Sequence, residues 1–512
     1  MTGAEAVLRT AAAAGIEVCF ANPGTTEMAL VNALDRVPSV RPVLGLFEGV
    51  CSGAADGYAR MGGLPALTLL HLGPGLANAL ANLHNARRAR SPVVNLVGDH
   101  ATWHRDADAP LTSDIVSLAK PVSRWVRETR ETARIAQDTA EAIAAAQDVP
   151  GGVATLILPA DCQTGEVPGP AAPIPPSTAP RPAADRIERV AAAMRREKNA
   201  GLYLGGRALN ARTQLAAGRV ARATGCRLFS ETFPARFERG AGLPRVDRLP
   251  YFPEWVAAFL EGLRLMVLVG TSESVAFFGY PGIPSRLTPE GCEVLTLSTA
   301  GEDAEAALEA LADAIGSPAS ASPPARVERP ELPDEWNAQA VGTVLALLQP
   351  EGAIIVDESA TTGLGYFEAA AAAPRHSLLT LTGGSIGMGP PCATGAAIRC
   401  PDRTVINFQG DGGAMYTVQA LWTQAREQLH VVTLICANRA YRILQVESAR
   451  AGAEPGEKAL SLMELSRPPL DWTQISRGMG VPASRADSVA SLRQALSIAL
   501  AEPGPHLVEV VV

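Results

Sequence analysis

The 512-residue chain has no cationic surplus: 44 basic against 52 acidic side chains leave a formal charge of −8. That balance excludes a protein whose main partner is nucleic acid or an anionic membrane, because both are held by positive potential. Cysteines at metal-ligand or redox spacing are also missing. Cys19, Cys51, Cys162, Cys226, Cys292, Cys392, Cys400 and Cys436 are scattered without a CxxC pair, which predicts free thiols in a reducing cytoplasm. The N-terminal MTGAEAVLRTAAAAG lacks a basic start, an apolar run and a cleavage site, so no export signal is expected. No stretch reads as a membrane span either. Residues 62–86 and 379–398 are free of charge but carry Gly, Pro, His71, Asn78 and Ser385, which suits buried backbone beside a ligand and not a lipid-facing helix. What is present is ample apolar material, 47% against 19% charged, enough to exclude global disorder.

Two proline-rich stretches, 166–183 and 317–334, have little apolar periodicity and read as linkers. They predict domains over 1–165, 184–316 and 335–512. Short β-branched runs alternate with helical patterns in all three. In the first, strands are expected at 17–21, 43–47, 66–70, 93–97 and 153–158; in the last, at 353–356, 405–408, 431–436 and 506–511. The middle piece has its clearest runs at 202–204, 265–269 and 293–297. Near-continuous apolar strands separated by helices imply parallel sheets covered on both faces. The expected fold class is α/β, with three open, doubly wound parallel-sheet domains.

The strongest local signal is Gly410-Asp411-Gly412, which follows the strand TVINF and opens a helical pattern. The next strand, HVVTLICA, runs into Asn438. Ligands of open parallel sheets gather beyond the carboxyl ends of the strands, so Asp411 and Asn438 are expected on one rim. Their oxygens suit a hard cation such as Mg²⁺ or Ca²⁺. Gly412 lets backbone approach an anion, and a helix N-terminus supplies free amides. A metal held together with a diphosphate fits that set. The tripeptide alone is equally a tight turn; the strand leading into Asn438 favours the site.

With these residues the chain resembles the thiamine-diphosphate enzymes of the pyruvate decarboxylase, acetolactate synthase and benzoylformate decarboxylase group. Their metal motif is GDG, a helix, a strand, then Asn-Asn; here the pair is Ala437-Asn438, keeping the second Asn. The resemblance spans essentially the whole chain. Residues 20–27 (FANPGTTE) look like the family's opening turn, and 46–60 (LFEGVCSGAADGYAR) look like the stretch with the activating glutamate. Residues 71–75 (HLGPG) and 383–387 (GGSIG) match two further family turns.

The resemblance implies a first domain that binds the aminopyrimidine, a central domain, and a last domain that binds diphosphate and Mg²⁺. It implies Asp411, Asn438 and the Ala440 carbonyl as metal ligands. Thr361, Gly410, Gly412, Gly413 and Tyr441 fall at positions lining the diphosphate. Gly384 would offer a carbonyl to the 4′-amino group, and Ile386 would lie beneath the cofactor. Glu48 would pair with N1′ and shift the ring to its imino form; alone, an acid there is equally a helix N-terminal residue meeting the dipole. The implied activity is 2-oxo acid decarboxylation or carboligation through a C2 ylide and an enamine. The implied minimal unit is a homodimer with the cofactor between two copies, pairing into a homotetramer.

Thr25 and His71 are the candidates for contact with the substrate carboxylate or carbonyl. His71 also reads as a satisfied structural histidine. His100 and His104 read either as acid/base groups or as loop histidines. No histidine lies between His104 and His376, and Phe277 or Phe278 stands where benzoylformate decarboxylases carry a second imidazole. That substitution disfavours protonation of the enamine and favours ligation to a second carbonyl. Leu111, Ile443 and Leu444 fall at positions lining an apolar substrate pocket. Gly205-Gly206 follows a strand, but the three-glycine nucleotide fingerprint is absent, so no FAD is expected. The competing readings are a flavin-dependent oxidoreductase of pyruvate-oxidase type and a binding protein that keeps the fold without turnover.

Overall fold

A computed structural model of the chain describes residues 1–317 and 327–512; part of the second expected linker, 318–326, lies outside the described residues. The chain forms two compact units. One comprises Met1–Pro176, Arg329–Ala370 and Leu379–Val512, the other Ser177–Glu328 and Ala371–Leu378. The described residues form three sheets, each built mainly of parallel strands. Among the described residues, no helix is long and apolar enough to cross a membrane, and all eight cysteines are free thiols.

The first unit holds two sheets. One contains β1 (Val18–Ala21), β2 (Arg41–Leu44), β3 (Ala66–His71), β4 (Val93–Asp99), β5 (Trp125–Glu128) and β6 (Val153–Pro159), in the spatial order β2-β1-β3-β4-β6-β5. All its pairings are parallel. Every residue of β4 and β6 is buried, which is why these runs are largely apolar, and the buried Asn95 amide is hydrogen-bonded to Thr68 and Thr155. The strand order reverses between β1 and β3, so the crevice of this sheet opens there.

In the second unit, β7 (Ala200–Leu204), β8 (Arg227–Ser230), β9 (Phe237–Arg239), β10 (Asp247–Arg248), β11 (Leu265–Val269) and β12 (Glu293–Ser298) appear in turn, with a parallel sheet ordered β10-β8-β7-β11-β12. The third sheet uses β13 (Ala353–Glu358), β14 (His376–Thr380), β15 (Val405–Gly410), β16 (Val431–Ala437), β17 (Ala483–Ala486) and β18 (His506–Val511). Its order across the first unit is β17-β18-β16-β15-β13, parallel throughout. Residues 376–378 of β14 pair antiparallel with β9 within the second unit.

Three local expectations change. The expected strand 43–47 is β2, ending at Leu44, and Phe47 is the extended N-cap of the Glu48–Gly62 helix. The helical pattern after Gly412 is broken into Asp411–Ala414, a 3₁₀ turn at Met415–Thr417, and Ala420–Arg426. The edge strand β5, Trp-Val-Arg-Glu, is half-buried along its length and so lacks an apolar run.

Glycine lets two helices of the first unit touch backbone to backbone. A Cβ on Gly57 would lie 2.0 Å from the Cys392 carbonyl oxygen, and one on Gly395 would lie 1.8 Å from that of Ala54. The Glu48–Gly62 and Gly389–Arg399 helices therefore pack closely; the first begins at Glu48 and the second just after the 383–387 loop.

Candidate active site

At the reversal point of the first sheet, the turn after β1 meets the end of β3. Glu27 closes the 3₁₀ turn Thr25–Glu27 and is fully buried. Its carboxylate accepts the Gly24 N–H at 2.7 Å, the Thr26 hydroxyl at 2.6 Å, and faces His71 Nδ1 at 2.8 Å. With Nδ1 engaged by the carboxylate, Nε2 is the ring nitrogen left for a ligand. A Cβ on Gly24 would sit 2.2 Å from His71 Nδ1, so only glycine fits beneath the imidazole. Thr25 is exposed at the same turn, whereas Thr26 is the threonine beside His71, 3.3 Å away. Glu27 escaped the sequence reading, although Gly24-x-x-Glu27 has the spacing of a capping box.

Glu48 is the first residue of its helix and is 8% exposed. Its Oε2 accepts a hydrogen bond from Asn78 Nδ2 at 2.9 Å. Asn82 on the same Leu72–Ala89 helix donates to the Gly49 carbonyl at 2.9 Å and reaches the Gly387 carbonyl at 3.4 Å. The glycine-rich loop before the Gly389–Arg399 helix is held by that helix too. His84 Nε2 lies 3.1 Å from the Gly383 carbonyl oxygen, and Asn85 Nδ2 donates to the Ser385 carbonyl at 2.8 Å. Gly384 and Gly387 have φ of 73° and 94°, values an L side chain rarely tolerates. Ile386 between them is half-buried.

The second rim lies at the ends of β15 and β16, which pair with Gly410 opposite Cys436. Asp411 is 3% exposed; Oδ1 accepts the Gly412 N–H at 2.9 Å and Oδ2 the Arg439 N–H at 2.7 Å. Burial pushes its carboxyl above the usual range, and the Arg439 and Gly412 amides pull it partly back. Asn438 Oδ1 accepts the Ala440 N–H at 3.0 Å. The Tyr441 ring lies over Gly412, whose Cβ would be 2.4 Å from the ring; burial, with Tyr416 beside it, raises the Tyr441 phenol. Thr361 is half-buried in the turn after β13. Gly413 stands beside the Glu358 carboxylate.

Backbone strain marks the same places. Among the described residues, six non-glycine residues have positive φ, and three of them adjoin site residues: Leu72 after His71, Ala360 before Thr361, and Arg439 after Asn438. Such conformations cost of order 1–3 kcal/mol each and cluster where geometry serves function.

The remaining candidates are spread out. His100 follows β4, with its ring 5.4 Å from that of His104 and Nε2 buried without a hydrogen-bond partner. Leu111 and Leu444 are 40% and 47% exposed, and Ile443 is half-buried. Phe277 belongs to the second unit, where it packs against Phe233 and Tyr251 with ring centroids 5.3 and 5.1 Å apart. In that unit Glu231, just after β8, takes the Gly206 N–H at 3.1 Å. The Gly206 amide is thus already engaged by a carboxylate.

Over residues 1–118 the chain matches the family described as thiamine pyrophosphate enzyme, N-terminal TPP binding domain, and over 362–510 the corresponding C-terminal TPP binding domain. It is 51% identical, over 100% of its length and 99% of the relative's, to the Mycobacterium tuberculosis protein named "Putative acetolactate synthase large subunit IlvX". It is 29% identical to the benzoylformate decarboxylase of Pseudomonas aeruginosa, covering 97% of this chain and 96% of that one. The solved thiamine diphosphate-dependent 4-hydroxybenzoylformate decarboxylase of Rhodococcus jostii RHA1 superposes with a TM-score of 0.88 at 25% identity, covering 99% and 98% of the two chains. The chain belongs to the thiamine pyrophosphate enzymes. Its relatives are of acetolactate synthase and benzoylformate decarboxylase type.

The Glu27–His71 contact carries its own expectation. Glu27→Gln replaces a charge-assisted bond worth about 1.5–3 kcal/mol, so turnover should fall roughly ten- to hundredfold. Steady-state kinetics of the variant check this; unchanged turnover would show that His71 needs no orienting carboxylate.

Proposed function

We propose that this chain is a thiamine-diphosphate- and Mg²⁺-dependent enzyme that cleaves the bond beside the carbonyl of a small 2-oxo acid and releases an aldehyde or ligates the fragment to a second carbonyl compound. The observation that carries the reading is the second rim: a buried carboxylate, Asp411, and the Asn438 amide oxygen at the ends of paired strands, next to the glycine backbone of Gly412 and Gly413. Burial without a cationic side chain bonded to it leaves Asp411 suited to a divalent ion, and hard oxygen donors suit Mg²⁺. The residues present therefore fit the cofactor.

Asp411, Asn438 and the Ala440 carbonyl would hold the metal. Thr361, Gly410, Gly412, Gly413 and Tyr441 would receive the diphosphate, with Gly384 and Ile386 at the aminopyrimidine end. Bound thiamine diphosphate supplies a carbon centre that accepts the electron pair freed when the substrate bond breaks. Glu48 holds a proton at the ring nitrogen N1′, and Asn78 fixes the orientation of its carboxyl group. His71, aimed by Glu27, presents Nε2 to the substrate carbonyl or carboxylate, with Thr25 at the same turn. His100, Leu111, Ile443 and Leu444 would shape the remainder of the pocket.

The functional domains are taken as 1–165, 184–316 and 335–512. The enzyme works in the cytoplasm as a homodimer, or as a homotetramer of two such dimers, with each cofactor between the first domain of one copy and the last domain of another. The Glu231 carboxylate on the Gly206 amide supports a central domain without FAD. Purified protein should then show no flavin absorption band; a stoichiometric band would favour the oxidoreductase reading.

The test is to supply thiamine diphosphate and Mg²⁺, screen pyruvate, branched 2-oxo acids and benzoylformate with and without an aldehyde acceptor, and read products by mass spectrometry. Release of CO₂ from at least one acid is expected; no turnover of any would sink the proposal. Phe277→His and Phe278→His each return an imidazole where a proton donor is missing, and the aldehyde share of products should rise in at least one of them. Product ratios fixed in both would show that this position does not decide the outcome.

A further inference from the structure

The Glu358 carboxylate lies at the end of β13, next to the turn that carries Thr361, and no family motif in the sequence pointed to it. It is 7% exposed. Its Oε1 accepts the Gly387 N–H and its Oε2 the Gly389 N–H, each at 2.6 Å. One carboxylate thus binds two amides flanking Met388, at the joint between the 383–387 loop and the Gly389–Arg399 helix. The other side of the same joint is held as well. The Gly387 carbonyl accepts the Thr417 hydroxyl at 2.8 Å and Asn82 Nδ2 at 3.4 Å.

The surroundings are shaped to this contact. Glu358, Asn407 and Gln409 are on one face of adjoining strands, since Val356 pairs with Asn407 and Glu358 with Gln409. A Cβ on Gly389 would sit 1.8 Å from Gln409 Oε1 and 2.7 Å from Asn407 Oδ1; one on Gly413 would sit 2.9 Å from Glu358 Oε1. These polar side chains press against glycine backbone from below, and both Asn407 side-chain atoms lack a hydrogen-bond partner in the interior. Burying an acid and amides in the core is costly unless they are hydrogen-bonded, and the Asn407 amide is not.

We propose that Glu358 is a positioning residue that fixes the loop bearing Gly384 and Ile386 by clamping the Gly387 and Gly389 amides from beneath. Because Glu358 Oε1 also fills the space where a Cβ on Gly413 would stand, the same carboxylate sets that loop beside the diphosphate rim. This inference rests on the cofactor reading above, but its first readout does not require cofactor. Burial raises the Glu358 carboxyl to about 7, against the pull of the two amides, so the residue is an expensive one to retain for stability alone.

The experiment uses the full chain as wild type, Glu358→Gln and Glu358→Ala, without cofactor. Amide hydrogen exchange across 383–390 should accelerate at least roughly tenfold in both variants, with alanine the larger change because glutamine keeps one acceptor oxygen. Glutamine leaves one of the two amides without an acceptor, so the unfolding temperature of Glu358→Gln should fall by only a few degrees while exchange outside 383–390 keeps its wild-type rate. A merely structural residue would instead loosen the protein broadly. Calorimetry should then show thiamine diphosphate, with Mg²⁺, binding roughly tenfold more weakly to Glu358→Gln than to wild type.

Unchanged exchange over 383–390 overturns the proposal, as does loosening spread evenly across the chain. Wild-type cofactor affinity in Glu358→Gln overturns the link to the site. Should wild type itself fail to bind thiamine diphosphate, the cofactor reading fails, while the exchange data still decide whether Glu358 is a clamp. If Glu358→Ala does not accumulate, the glutamine variant alone carries the test.

Discussion

Asp411→Ala should abolish Mg²⁺-dependent binding of thiamine diphosphate. The side chain is a buried carboxylate beside the Asn438 turn, and its hydrogen bonds come from the Gly412 and Arg439 backbone amides. Without it, the rim offers amide and carbonyl oxygens but no anion to offset the ion's charge, and divalent affinity collapses. The loss is readable without turnover. Saturation at about a hundred times Kd stabilises a binding-competent fold by about 2.7 kcal/mol, so wild type should melt several degrees higher with cofactor and Mg²⁺. The alanine variant should show no such rise. Calorimetry showing normal binding to the variant would refute the metal assignment.

Glu48→Gln should behave in the opposite way, binding cofactor nearly as wild type while turnover falls by on the order of a hundredfold or more. The amide is isosteric and can still meet Asn78, so the helix start and its packing should persist. Only the exchangeable proton is lost. Steady-state rates beside a calorimetric titration separate the two effects: parallel losses would indicate a binding role, and an unchanged rate would remove Glu48 from the chemistry.

The two expectations differ because the residues do different work in similar settings. Both are buried acids at the start of a helix. Asp411 is wrapped by backbone donors, which suits a fixed anion. Glu48 has one side-chain donor, Asn78, which leaves its other oxygen for a ligand.

The parallel sheets were legible because buried strands are near-continuous apolar runs; Val431–Ala437 leading into Asn438, broken only by Thr433, is the plainest instance. Gly-Asp-Gly was legible as a turn between strand and helix, though not the break after Ala414, where a four-residue helix gives way to a 3₁₀ turn. The contacts that orient the site were the least visible. Glu27 and Glu358 are acids whose partners are a histidine 44 residues away and amides 29 and 31 residues away. Neither periodicity nor composition encodes such pairings. The strained φ values at Leu72, Ala360 and Arg439 were equally hidden, because the residue types there are not the glycine or asparagine that usually advertise a left-handed turn.

In the proposed enzyme, Glu48 of one copy acts on a cofactor anchored by Asp411 of another. Co-expressing Glu48→Gln with Asp411→Ala, each inactive alone, measures this. If the site is shared, a hybrid dimer has one doubly damaged site and one intact site, and random pairing should restore about a quarter of wild-type activity. Hybrid dimers that form in full yet stay inactive would contradict it.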